Sequence, residues 1–188
     1  MLHIRLLLAF SAVALAQAPK GAAPQPQPAF NFMGPCSTLE CEVEYDWLRN
    51  NVMFYGLARA MPDDKYGLKP TAEQQTFGER VLHVAQINLS ILETLGAKTK
   101  APTIDQKATS KTSTMDAVQK VGDYGVAVIK EFGDQGLTVR VASPPFMGPM
   151  STRQRLLYFL MTHSQDTYGQ LVVYLRLNGI VPPVSRQP

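Results

Sequence analysis

The chain has 188 residues, a net charge of +3 and 18% charged residues. The positive charge is scattered with no basic block, which argues against nucleic acid as a partner. Beyond its first residues nothing is long and apolar enough to span a membrane. Roughly 150 residues remain from Cys36 on, enough for one domain with a proper core.

Residues 1–16 read as a signal peptide. Arg5 precedes the apolar run Leu6-Leu7-Leu8-Ala9-Phe10, and Ala14-Leu15-Ala16 supplies the small-x-small pattern before a cut. Cleavage is expected after Ala16, because a cut after Ala18 would place Pro19 just past the scissile bond. An anchoring span would need about 20 apolar residues, so the segment is too short for that role. Residues 17–36 are rich in Pro, Ala, Gly and Gln and read as a flexible linker, leaving 37–188 as the folded domain. An exported protein, periplasmic or secreted, is the expectation. Cys36 and Cys41 are the only cysteines and suit a short-range disulfide in such a compartment. Their spacing is awkward if Cys41 lies in a helix and Cys36 outside it. They form no CxxC motif, so a redox-active pair has little support.

Helical periodicity dominates the chain from Thr38 on. A first helix is expected from Thr38 to Ala60, stopped by Met61-Pro62-Asp63-Asp64. A second opens at Thr71, where Gln74 completes a capping-box pattern, and runs through Val81, Val84 and Leu92 to Gly96. Residues 97–112 read as a polar surface loop. A third helix begins at Ser113 or Thr114 and ends near Gly133 to Gly136. Residues 137–150 cross back with the pair Pro144-Pro145; Leu137 to Val141 alternates briefly but has no partner strand in view. Ser151 caps the last helix, which ends at Asn178-Gly179. These elements make an all-α fold, an antiparallel four-helix bundle with long connections.

Two histidines lie outside the leader, His83 in the second helix and His163 in the fourth. Both sit mid-helix among apolar residues, at depths that let the rings reach one layer of the bundle interior. Burying an imidazole without a partner costs about 1–3 kcal/mol, so a shared inward site is the sharpest reading. Bundle metal sites are built this way, and imidazole suits Zn, Ni, Fe or Cu. A catalytic zinc site, however, has three protein ligands. Thr167, Gln170, Tyr174 and, less squarely, Asp166 share the face of His163. Thr167 holds the i+4 position where a third ligand belongs, and a neutral hydroxyl serves these metals poorly. Gln86 and Asp123 are conceivable donors without a positional argument. The competing reading is a satisfied polar layer of His83, His163, Thr167 and Gln170. The tyrosines read as core or boundary residues, the methionines are too scattered for a copper-thioether site, and no nucleophile triad has the spacing it would need.

These residues resemble a known family. His163-Ser164-Gln165-Asp166-Thr167-Tyr168-Gly169-Gln170, then Tyr174-Leu175-Arg176 and Gly179-Ile180-Val181-Pro182-Pro183, are similar to the last helix and tail of DinB-like (DinB/YfiT) proteins. More narrowly they resemble an exported bacterial branch of that family. Ala60-Met61-Pro62, Lys65-Tyr66, Lys69-Pro70-Thr71, Phe77 and His83-Val84-Ala85 are similar to the first connection and second helix of that branch. The resemblance covers most of the chain from Trp47 on. It implies a four-helix bundle, often a homodimer, holding a divalent metal (Zn, Ni, Mn or Fe) on three histidines, one from the second helix and two from an HxxxH pattern on the last. His83 and His163 match two of these; the third falls on Thr167. Some members are transferases that activate a low-molecular-weight thiol, a cytoplasmic co-substrate at odds with an exported chain.

Two functional expectations result. The first is an exported bundle with a degenerate His-His-Thr site that binds a small molecule or a partner protein. The alternative is a divalent-metal-dependent enzyme, thiol transferase or hydrolase, with His83 and His163 as ligands.

Overall fold

The computed structural model describes residues 35–186; the expected signal peptide and most of the expected linker lie outside them. Four long helices, α1 (Leu39–Ala60), α2 (Phe77–Thr94), α3 (Lys111–Leu137) and α4 (Arg153–Leu177), form the bundle. Apolar residues recur at helical spacing on one face of each, as Val43, Trp47, Phe54 and Leu57 do on α1, and these faces meet in one core. Both α1 and α2 pack against α3 and α4, so α2 and α4 are neighbours and share a long seam.

Helix starts obey capping chemistry. Thr38, where the sequence places the start of the first helix, caps α1 by accepting from the Cys41 amide. Cys36 and Cys41 form a disulfide across a Cα separation of 5.4 Å, because Cys36 lies on the extended approach just before the cap.

The start of α2 differs from expectation. Thr76 is the cap, with Glu79 completing the capping box, and residues 71–74 form turns instead. The physical reason is tertiary: the Phe77 amide donates to the Leu68 carbonyl and the Gly78 amide to that of Tyr66. The first free helical amides thus find acceptors in the incoming chain only if the helix begins there. Gly78 eases the same approach, since a Cβ would stand a tight 3.1 Å from the Tyr66 ring and 3.2 Å from the Thr109 carbonyl.

The third helix starts at Lys111, two or three residues earlier than expected, because Ser110 is its cap. Gly133, at φ 57°, breaks the helical path where the sequence places the end, and the helix then resumes to Leu137. Thr152, not Ser151, caps α4. Residues 140–142 do find a partner: β1 (Arg140–Ala142) pairs antiparallel with β2 (Met150–Thr152), Val141 opposite Ser151. The hairpin projects from the end of the bundle where α4 begins.

Contacts fix the directions. Glu40 meets Asp134 and Trp47 meets Gly122, so α1 and α3 are antiparallel. Lys98, just past α2, donates to Glu131, while Gly78 at its start approaches Thr109. Hence α2 and α3 run the same way, and residues 95–110 return along the bundle to join them, burying Ile104 and Ala108.

A histidine pair in the seam between α2 and α4

The seam is antiparallel and can be traced from end to end. Near the start of α2, Phe77 lies 6.0 Å from the ring of Tyr174, whose hydroxyl donates to the Gln75 carbonyl at 2.7 Å. Further along, the Asn88 amide donates to the Ser164 hydroxyl at 3.4 Å, and at the far end Arg153 Nε donates to the Leu95 carbonyl. Between these clasps His83 and His163 face each other edge to face, ring centroids 5.1 Å apart. The sequence expectation that both rings reach one layer is therefore met.

Both imidazoles are half-buried. His163 Nδ1 is buried with no hydrogen-bond partner. Burial holds the His83 pKa below the usual imidazole value, and the positive charge of Arg80 adds to the effect. Burial also lowers that of His163, with His83 adding to it and Asp166 opposing it. Both rings are thus favoured in the neutral form, able to donate from one nitrogen and accept at the other.

Thr167 is buried one turn beyond His163. Gln170 stands on the same stripe, but its side-chain amide donates to Asp166, which is exposed. Gln86 donates to the Gln106 carbonyl in the crossover connection. Asp123 is on α3, where it accepts from Gln119 and lines a groove of about 340 Å³ between α1 and α3, away from the histidines. Neither Gln86 nor Asp123 joins the pair.

The residues present do not fit a three-ligand metal. Among the described residues no group of three His, Cys, Asp or Glu side chains converges, and the position one turn from His163 holds a hydroxyl. A cation also stands near His83, lowering its pKa. Arg80 lies one turn before His83 on the face that carries Phe77 and His83, both of which touch α4. Its Nε is buried without a hydrogen-bond partner. Sequence reasoning missed Arg80, although its i−3 spacing from His83 was there to be read. Two aromatic residues were missed as well. Phe159 stacks on His163 at 6.3 Å, and Phe146, at the tip of the hairpin, lies 5.4 Å from Phe159.

A four-helix bundle with a histidine from α2 facing one from α4 defines the class of protein. The sequence model of the DinB family matches residues 38–187, and the chain belongs to that family. Two crystal structures share the fold. A DinB-like protein from Bacillus cereus ATCC 10987 has 22% identity and a TM-score of 0.67, the match covering 78% of this chain and 96% of that one. A DinB-like protein from Bacillus subtilis has 18% identity and a TM-score of 0.57, covering 73% and 92% respectively. No curated protein matches the chain closely enough to count as a relative.

Proposed function

We propose that this is an exported DinB-family bundle that binds a small molecule in the seam between α2 and α4, without a metal, at the position of a degenerate His-His-Thr site. The observation that carries the reading is the orphaned Nδ1 of His163, buried beside His83 with Thr167 one turn away. A buried polar atom without a partner is costly, and a bound ligand relieves that cost. Arg80 supports the metal-free reading, since a positive charge that already acts on His83 also repels a divalent cation held there. Support for export comes from the Cys36–Cys41 disulfide, a bond that persists in oxidising compartments and is rare in reducing ones.

Thermal melting tests the metal-free part, because anything that binds the native state raises the melting temperature. The melting temperature of residues 17–188 is expected to be the same in chelator and in zinc or nickel. A rise with either metal that disappears in His83→Ala would instead favour the metal-dependent enzyme. For export, the full chain expressed in a bacterial host is expected to yield a product beginning at Gln17 outside the cytoplasm. An uncut, cytoplasmic product would contradict this.

A further inference from the structure

We propose that the groove between α1 and α3 is a second binding site, which holds a short extended peptide with a free amine at one end and a free carboxylate at the other. The groove is separate from the histidine seam, and the proposal does not depend on what that seam binds.

The groove has a volume of about 340 Å³, and its walls are the antiparallel helices α1 and α3. That size falls at the lower end of the range for small-ligand sites, about 300–1,000 Å³. Leu48, Val52 and Val118 give it an apolar lining, and Val52 is 38% exposed. A Cβ on Gly56 would meet nothing within 4 Å, so the groove is open down to the α1 backbone there.

Opposite charges stand at its two ends. Both Arg59 and Asp123 line the groove, and both are exposed. Trp47 meets Gly122, while Lys111 pairs with Asp63 at 3.3 Å, so Asp123 lies level with Trp47 and Arg59 lies toward the level of Lys111. From Lys111 to Asp123 is about 18 Å of helix at 1.5 Å per residue. Helical side chains tilt toward the N-terminus of their own helix, which in an antiparallel pair brings these two heads toward each other. The gap left between the charges is about 10–14 Å. An extended chain rises about 3.3 Å per residue, so about four residues span it.

The structure leaves these charges to a ligand. Among the described residues the three ion pairs between side chains include neither Arg59 nor Asp123. Asp63 and Asp116, the acids toward the Arg59 end, are already paired with Lys111 and Lys120. Asp123 accepts a neutral bond from Gln119 through Oδ1, which leaves Oδ2 for an ammonium group. The wall between the charges suits a peptide backbone. Asn51 Nδ2 donates to the Trp47 carbonyl at 2.8 Å, and its Oδ1 lies beside Gly122, where a Cβ would stand 3.3 Å from it. That oxygen can accept from a peptide amide, and Tyr55 adds a hydroxyl and a flat apolar ring. A single amino acid is too short to meet both charges, and a fatty acid would leave Asp123 unmet.

The test titrates tetra-alanine into residues 17–188, followed by calorimetry and by the backbone amide resonances of Gly56 and Gly122. One peptide per chain should bind and shift both amides. Acetylating its amine or amidating its carboxyl group should each weaken binding at least tenfold. Asp123→Asn should weaken tetra-alanine at least tenfold yet leave the acetylated peptide unchanged. Arg59→Gln should do the same, with the amidated peptide unchanged. Both side chains are exposed, so these variants keep the fold. Gly56→Leu, which fills the open space, should abolish binding. Tetra-alanine that moves neither amide, capped peptides that bind as tightly as the free one, or charge variants of undiminished affinity would each overturn the proposal. So would a chain that sediments as a dimer broken by Val52→Arg, because a second copy would then cover the groove. Shifts confined to the imidazoles of His83 and His163 would place the peptide in the seam and overturn it as well.

Discussion

Trp47 of α1 occupies the space that a side chain at residue 125 of α3 would need. A Cβ placed on Gly125 would overlap the indole, and Trp47 Nε1 donates to the Gly122 carbonyl at 2.9 Å. The largest side chain in the core is thus seated by the smallest residue on the facing helix. Gly125→Ala is expected to destabilise the protein by about 1–3 kcal/mol, since a packed core has no room to yield. Gly169 on α4 has open space around it, so Gly169→Ala should stabilise by about 0.5–1 kcal/mol through helix propensity alone. Denaturant midpoints of the two variants should move in opposite directions; equal movement would contradict the packing described.

The cap of α2 positions Arg80 and His83, which lie within its first two turns. Thr76→Ala removes the hydroxyl that accepts from the Glu79 amide, and should cost about 1 kcal/mol. Thr71→Ala, at the position where the sequence alone suggests the cap, should stay within about 0.5 kcal/mol of the unaltered protein. Urea unfolding distinguishes the two sites.

Arg153 holds three segments together at the far end of the seam. Its Nε donates to the Leu95 carbonyl at 2.8 Å, its Nη1 to the Gly136 carbonyl at 3.2 Å, and its guanidinium lies 3.9 Å from the centre of the Phe132 ring. Arg153→Met is expected to lower stability by about 1.5–3 kcal/mol, the range for hydrogen bonds to a charged group. Arg153→Lys should recover little of this, because an ammonium cannot form the planar fork and stack at once. Thermal melts of both variants check the point.

Thr167→His tests whether the seam still has the geometry of its relatives. With His83 and His163 already facing each other, a third imidazole one turn along α4 should let the chain bind about one zinc. Adding Arg80→Gln should tighten the binding further by removing an opposing charge. Zinc uptake that survives His83→Ala would show that the metal sits elsewhere.

The bundle was legible because its signals are local. Apolar spacing and the Asn178-Gly179 stop act within a few residues of themselves. The facing histidines were legible from their equal depth, and Thr167 from its i+4 spacing. The misplaced start of α2 shows where locality ends: both Thr71-x-x-Gln74 and Thr76-x-x-Glu79 satisfy the capping-box pattern. Backbone acceptors at Tyr66 and Leu68, which take the Gly78 and Phe77 amides, decide between them. The hairpin was hidden for a similar reason. Met150–Thr152 carries no apolar alternation, so the partner of residues 140–142 exists only in three dimensions. Phe146, brought to Phe159 by that hairpin, was invisible as part of the site.

Whether the His83–His163 seam works without a metal is decided by metal content. Residues 17–188, purified without a polyhistidine tag, would be dialysed separately against Zn, Ni, Mn and Fe and assayed by elemental analysis. A metal-free seam retains none of the four. About one metal per chain, lost in His83→Ala, would contradict that and return the protein to the metal-dependent enzymes.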